Sequence, residues 1–148
     1  MDWRPMTEAD LPGVVALAGA VHPHHPEAPA VFAERLALAP EGCWVLGEGQ
    51  GYALAHPWTG LAPPPLDTLL GAVPEGPWHL HDIALAPAAR GAGHAARLLA
   101  RWPAATLVAI AGTGRYWARQ GFRRVPCADP AALASYGAGA RFMARGGT

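Results

Sequence analysis

The stretch from Asp82 to Leu99 constrains this chain more than any other. An apolar run, Ile83-Ala84-Leu85-Ala86, meets a stop at Pro87, passes through Arg90-Gly91-Ala92-Gly93 and resumes with helical spacing at His94. It reads as a strand, a glycine-containing turn and a helix. Backbone N–H groups at the start of a helix have no intrahelical partner and lie at the positive end of its dipole. Gly91 and Gly93 tolerate positive φ and place no Cβ in the way, so an anion such as a pyrophosphate is able to approach the backbone closely.

An ordinary strand-to-helix connection would look the same in a chain with 18 glycines, so other anion-binding signatures have to be tested. A P-loop requires Lys followed by Ser or Thr, whereas Gly93 is followed by His94 and Ala95 and the chain contains no lysine. A dinucleotide fingerprint has three glycines and opens its domain, whereas this turn has two and lies past residue 85.

Arg90-Gly91-Ala92-Gly93-His94-Ala95 resembles the Arg/Gln-x-x-Gly-x-Gly/Ala signature of the GNAT superfamily of acyl-CoA-dependent N-acyltransferases, and Ile83 to Pro87 resembles its fourth strand. Two further stretches extend the resemblance over nearly the whole chain. Arg4-Pro5-Met6-Thr7-x-x-Asp10-Leu11 is similar to a GNAT first strand and helix, and Tyr116-Trp117-Ala118-Arg119-Gln120-Gly121-Phe122 to its second signature. The resemblance implies one α/β domain over residues 1–148, a mixed, mostly antiparallel sheet with helices on both faces. It also implies an acetyl-CoA co-substrate, direct transfer of acetyl to an amine and no metal. Cofactor contacts would then fall on Ile83, Ala84, Leu85, Arg90, Gly91, Ala92, Gly93, His94, Ala95 and Trp117.

Composition is compatible with this. A chain of 148 residues, 51% hydrophobic, suffices for one domain with a sizeable core. Eleven basic and eleven acidic residues cancel, so no overall field draws the protein to nucleic acid or to an anionic membrane. Neither partner is expected. The amino terminus lacks a basic region followed by an apolar run, and no apolar segment of about 18 residues occurs, so a cytoplasmic protein is expected. Cys43 and Cys127 form no Cys-x-x-Cys pair and read as reduced thiols.

In chain order, Trp3–Met6 reads as a strand, Thr7 or Asp10 as a cap, and Leu11 onward as a helix. Val21-His22-Pro23-His24-His25-Pro26 is a loop, because its prolines cannot continue a helix, and a second helix is predicted from Pro29 to Leu38. In the GNAT plan this loop borders the acceptor site, which makes His22, His24 and His25 candidates for substrate contact. Three close histidines also fit a metal site or a solvated loop. Residues 43–47 and 52–56 flank a glycine-rich turn and form a hairpin. Residues 59–77, rich in proline, are a long connection with one helical turn at Leu66–Leu70, a candidate substrate-side flap. Strict alternation along Trp78–Leu85 places Trp78, Leu80, Asp82 and Ala84 on one face and His79, His81, Ile83 and Leu85 on the other. Thr106–Ile110 is a buried strand, Gly121 closes a short helix, and residues 129–136 and 140–144 are a last helix and strand.

An amine acceptor is mostly protonated at neutral pH, so a base is required. Asp82, the one formal charge in its strand, is the leading candidate, either as base or as a paired structural carboxylate; His79 and His81 are the alternatives. Where many family members carry a tyrosine as general acid, this chain has Trp117, whose indole N–H does not yield its proton. Tyr116 is the neighbouring candidate, with Tyr52, Tyr136 or water as substitutes. Substrate contacts are assigned to His22, Tyr52, His81 and Tyr136. The acceptor is a small-molecule or peptide amine, and dimers are common among similar proteins, so a homodimer is a further expected partner. The Trp117 departure also supports a non-catalytic acyl-CoA-binding or sensing module.

Overall fold

The computed structural model describes residues 1–147. Seven strands form one sheet: β1 (Trp3–Pro5), β2 (Cys43–Leu46), β3 (Gly51–Pro57), β4 (Trp78–Leu85), β5 (Ala105–Ala109), β6 (Arg123–Arg124) and β7 (Arg141–Arg145). Their order is β1-β2-β3-β4-β5-β7-β6, antiparallel throughout except where β4 runs parallel to β5. Helices α1 (Leu11–Val21) and α2 (Pro29–Leu38) cover one face; α3 (His94–Leu99) and α4 (Gly114–Arg119) cover the other, and α5 (Pro130–Ala134) precedes β7. The mixed α/β sheet with helices on both faces is the one expected. Among the described residues no helix is long and apolar enough to cross a membrane.

Each face has its own apolar cluster. Val14, Phe32, Leu36, Val45, Leu54 and Ala84 pack beneath α1 and α2. Leu80, Leu98, Leu99, Trp102, Leu107 and Trp117 pack beneath α3 and α4. Fully burying a side chain of this size contributes about 1.5–3 kcal/mol, so these two clusters hold the helices to the sheet.

β4 and β5 pair over only three residues each, Trp78 to Leu80 against Ala105 to Leu107, and then separate. Two apolar strands that diverge inside a sheet leave a wedge between them, and the turn at residues 86–93 closes its open end. The segment from the turn through α3 is anchored at three points. Trp3 Nε1 donates to the carbonyl of His94 at 2.8 Å, the Ala86 N–H donates to the Gln50 carbonyl at 2.8 Å, and the Arg145 guanidinium donates to the carbonyls of Leu99 and Trp102 where α3 ends.

Alternation along β4 fails at one place. Leu54 pairs with Asp82 and Ala55 with Leu80, so His81 is an extra residue in a β-bulge. The bulge puts His81 and Asp82 together on the α1–α2 face with His79 and Ala84, while Ile83 joins Leu80 and Trp78 on the other face. The expected grouping of Asp82 with Trp78 and Leu80 is therefore corrected.

The connection at residues 58–77 carries no helical turn at Leu66–Leu70, and it is strapped down rather than a flap. Glu34 accepts from the N–H groups of Leu70 (2.6 Å) and Gly71 (2.9 Å), Glu27 from that of Asp67 (2.9 Å), and Ser135 from that of Leu66 (2.8 Å). The Tyr136 hydroxyl donates to the Pro64 carbonyl (2.6 Å) and Arg35 to that of Thr68 (3.1 Å). Side chains on α2, just before it and just after α5 thus replace the internal hydrogen bonds that a proline-rich segment cannot make.

Candidate active site

The wedge between β4 and β5 opens into a cavity of about 610 Å³, within the range of small-molecule sites. One end is the turn. Gly91 and Gly93 adopt φ of 85° and 78°, conformations that L-residues with a Cβ avoid, and Arg90 Nε donates to the Leu85 carbonyl at 3.2 Å. Ile83, Ala84, Leu85, Arg90, Gly91, Gly93, His94, Ala95 and Trp117 all line the cavity. Ala92 does not; its carbonyl accepts from Arg97 at 3.2 Å.

The other end is polar. Asp82 lies between two donors: the Tyr52 hydroxyl donates to Oδ2, and His22 Nε2 sits 3.0 Å from Oδ1 and 3.4 Å from the Ile83 carbonyl. With Nε2 so engaged, Nδ1 is the nitrogen His22 has left for a ligand. The hydrogen bond to Asp82 raises the pKa of His22 against the opposing effect of partial burial. Tyr52 itself is wholly buried under Asp82, and burial together with the Asp82 charge pushes its hydroxyl pKa far up. It supports Asp82 and does not face the cavity, which corrects its assignment as a substrate contact.

A second carboxylate–imidazole pair stands beside the first. His81 Nε2 is 2.8 Å from Glu27 Oε1, with both side chains almost wholly buried and both residues lining the cavity. Sequence reasoning missed Glu27, although it directly follows the His25-Pro26 loop. His25 Nε2 lies 3.0 Å from the Tyr136 carbonyl, and both residues also line the cavity. His24 is exposed and apart from the site. His79 is not a base candidate in this structure: it is buried outside the cavity, with Nδ1 2.8 Å from Thr106 Oγ1. Of the three tyrosines, Tyr52 and Tyr136 have committed their hydroxyls to Asp82 and Pro64. Tyr116, 41% exposed, lines the cavity beside Trp117, with ring centroids 5.0 Å apart.

Burial also has a consequence for stability. It lowers the pKa of His56 to about 4 and that of His79 well below its ordinary value. The unfolded chain, with imidazoles near 6.5, binds protons that the native state refuses, so the stability present above about pH 6.5 is lost as pH falls toward 4. For His56 alone the loss is on the order of 3 kcal/mol. Thermal unfolding from pH 7 to pH 4.5 is expected to show a falling midpoint, with a shallower slope in His56→Phe. An equal slope in the two proteins contradicts this.

No protein-family model matches the sequence, nor does any curated protein. Solved structures do resemble it in fold. The GphF GNAT-like decarboxylase in complex with isobutyryl-CoA superposes with a TM-score of 0.74 at 19% identity, covering 98% of each chain. Ard1 from Thermoplasma volcanium gives 0.68 at 15% identity, covering 97% of this chain and 95% of that one. Rv2747 from Mycobacterium tuberculosis, in complex with CoA and NLQ, gives 0.67 at 13% identity over the whole of both chains. The splayed β4–β5 pair, the glycine turn after β4 and these superpositions together identify the fold of this chain as that of the GNAT superfamily.

Proposed function

We propose that the protein is an N-acetyltransferase that moves acetyl from acetyl-CoA directly to a primary amine. The observation that carries this reading is the single cavity joining an anion-compatible turn to an imidazole–carboxylate pair. The pyrophosphate of CoA would lie against the backbone of residues 90–95, where the Cβ that Gly91 lacks would meet no protein atom within 4 Å. The wedge between β4 and β5 would take the pantetheine arm, and a β4 backbone N–H near Ile83–Leu85 would polarise the thioester carbonyl.

Both oxygens of Asp82 are already engaged, so we assign the base to His22 Nδ1 and make Asp82 its positioning residue. His22 Nδ1 takes one proton from the ammonium and passes it to solvent; the neutral nitrogen then forms its bond to the acetyl carbon while its second proton passes to Nδ1, and the C–S bond breaks to release thiolate. We assign Tyr116, which lines the cavity, as the proton donor to that thiolate, its phenolate regaining a proton from solvent. The carboxylates of Asp82 and Glu27 give the acceptor end a negative bias that suits an incoming ammonium. The same bias disfavours an acyl group bearing its own carboxylate, which separates this site from the decarboxylation named for GphF.

Titration calorimetry with acetyl-CoA, followed by thiol release with a panel of amines, tests the proposal. Cofactor binding with amine-dependent CoA release is expected. Binding with no amine response above hydrolysis would assign the chain to the non-catalytic acyl-CoA-binding class. Carbon dioxide release from malonyl-CoA would assign it to decarboxylation.

A further inference from the structure

Behind the Glu27–His81 wall lies a group of buried polar atoms without partners. Arg35, only 1% exposed, uses NH1 on Glu34 and on the Thr68 carbonyl, but its Nε and NH2 bond to nothing among the described residues. His56 Nε2 and His81 Nδ1 are likewise buried and unpartnered. The imidazoles are neighbours: the His56 ring lies 6.3 Å from that of His81 and 5.5 Å from that of His79. Arg35 is tied to the same corner: it donates to the Thr68 carbonyl, and the adjacent Asp67 N–H donates to the Glu27 carboxylate that holds His81.

We propose that Arg35, His56 and His81 enclose an internal site for ordered water, which holds the His81 ring from the side opposite Glu27. The donor and acceptor inventory selects the ligand. Guanidinium nitrogens only donate. His56 Nδ1 faces the Pro57 carbonyl at 2.8 Å and must carry the proton, which leaves Nε2 as a bare acceptor. An occupant has to accept from Arg35 and donate to an imidazole, and a small molecule that does both is water. A halide or a carboxylate satisfies the arginine alone, leaves the ring nitrogens unpaired and meets the charges of Glu27 and Glu34. Leaving such atoms dry forfeits hydrogen bonds at the greatest cost, because no solvent replaces them.

The position of His81 bears on the acceptor pocket, so any effect on catalysis rests on the proposed transferase activity; the water itself does not. A high-resolution crystal structure of the wild-type protein grown with bromide tests the site directly. Expected is an oxygen-sized peak within hydrogen-bond distance of Arg35 Nε or NH2 and of at least one of the two ring nitrogens, with no anomalous signal. An anomalous bromide peak there, a chamber without density, or direct closure of Arg35 on the rings overturns the proposal.

Equilibrium unfolding of Arg35→Met, His56→Phe and the double variant supplies the solution test. Each single change orphans the groups left behind, so the double variant should lose less than the two effects combined, by about tenfold in the unfolding constant. Strict additivity overturns a shared water. If Arg35→Met fails to fold, the crystal structure of His56→Phe decides: the water should be absent or displaced toward His81, and an unchanged peak overturns the role given to His56.

Discussion

Replacing His22 by Ala is expected to lower kcat/KM for amine acetylation by about 10²–10⁴-fold, the usual contribution of a general base, and to leave acetyl-CoA affinity nearly unchanged. His22 lies at the acceptor end of the cavity, away from the turn, so the two properties should separate. The pH profile carries a stricter test. The hydrogen bond to Asp82 raises the His22 pKa, so wild-type kcat/KM should climb with pH through an inflection above about 6.5. Asp82→Asn removes the charge and presents an amide N–H to His22 Nε2. The imidazole must then turn its bare nitrogen toward the amide and carry its proton on Nδ1, the wrong tautomer for a base. That variant should lose activity comparably, and whatever activity is left should have its inflection moved down. Full activity in His22→Ala, or an unmoved inflection in Asp82→Asn, would remove the pair from the mechanism.

The linkage to stability has the opposite sign to that of His56. A raised folded pKa means that the contribution of His22 is fully present below about pH 6.5 and is lost as pH rises through the folded value. On the proposed mechanism the protein would become a better catalyst over the same interval in which this pair stabilises it less. A base that must be unprotonated to act, yet is held by an anion, produces that trade.

How far the sequence foretold this arrangement depended on the range of the interaction involved. The glycine turn, the proline-started helix at Pro29–Leu38 and the Gly121 stop are written in neighbouring residues, and the structure places α2 over the same span. The β4 bulge is a property of pairing with β3, which alternation within β4 does not encode, so Asp82 was assigned the wrong face. Residues 59–77 were legible as irregular from their prolines. Their anchoring was not, because the partners Glu27, Glu34 and Ser135 lie 36 to 69 residues away. Glu27 and Arg35 went unnoticed for the same reason: each gains its meaning from His81 or Thr68, across the fold.

The second large effect belongs to the turn, where backbone strain and ligand contact must be told apart. Gly71, Gly91 and Gly93 share positive φ of 74°, 85° and 78°. An alanine in that conformation costs roughly 1–2 kcal/mol wherever it occurs. A Cβ at Gly71 or Gly91 meets nothing within 4 Å, and one at Gly93 meets only Arg97 NH1 at 3.7 Å. Gly71→Ala and Gly91→Ala should therefore lose similar thermal stability. They should differ in cofactor binding, because Gly71 lies on the strap outside the cavity and Gly91 lines it. Gly93→Val goes further, placing a branched side chain where the pyrophosphate is proposed to meet the backbone. Forfeiting two charge-assisted hydrogen bonds there, about 3 kcal/mol or more together, predicts roughly 100-fold weaker acetyl-CoA binding by calorimetry. Gly71→Ala should bind as the wild type does. If all three variants bind equally well while folded, the turn is an ordinary strand-to-helix connection and the phosphates lie elsewhere.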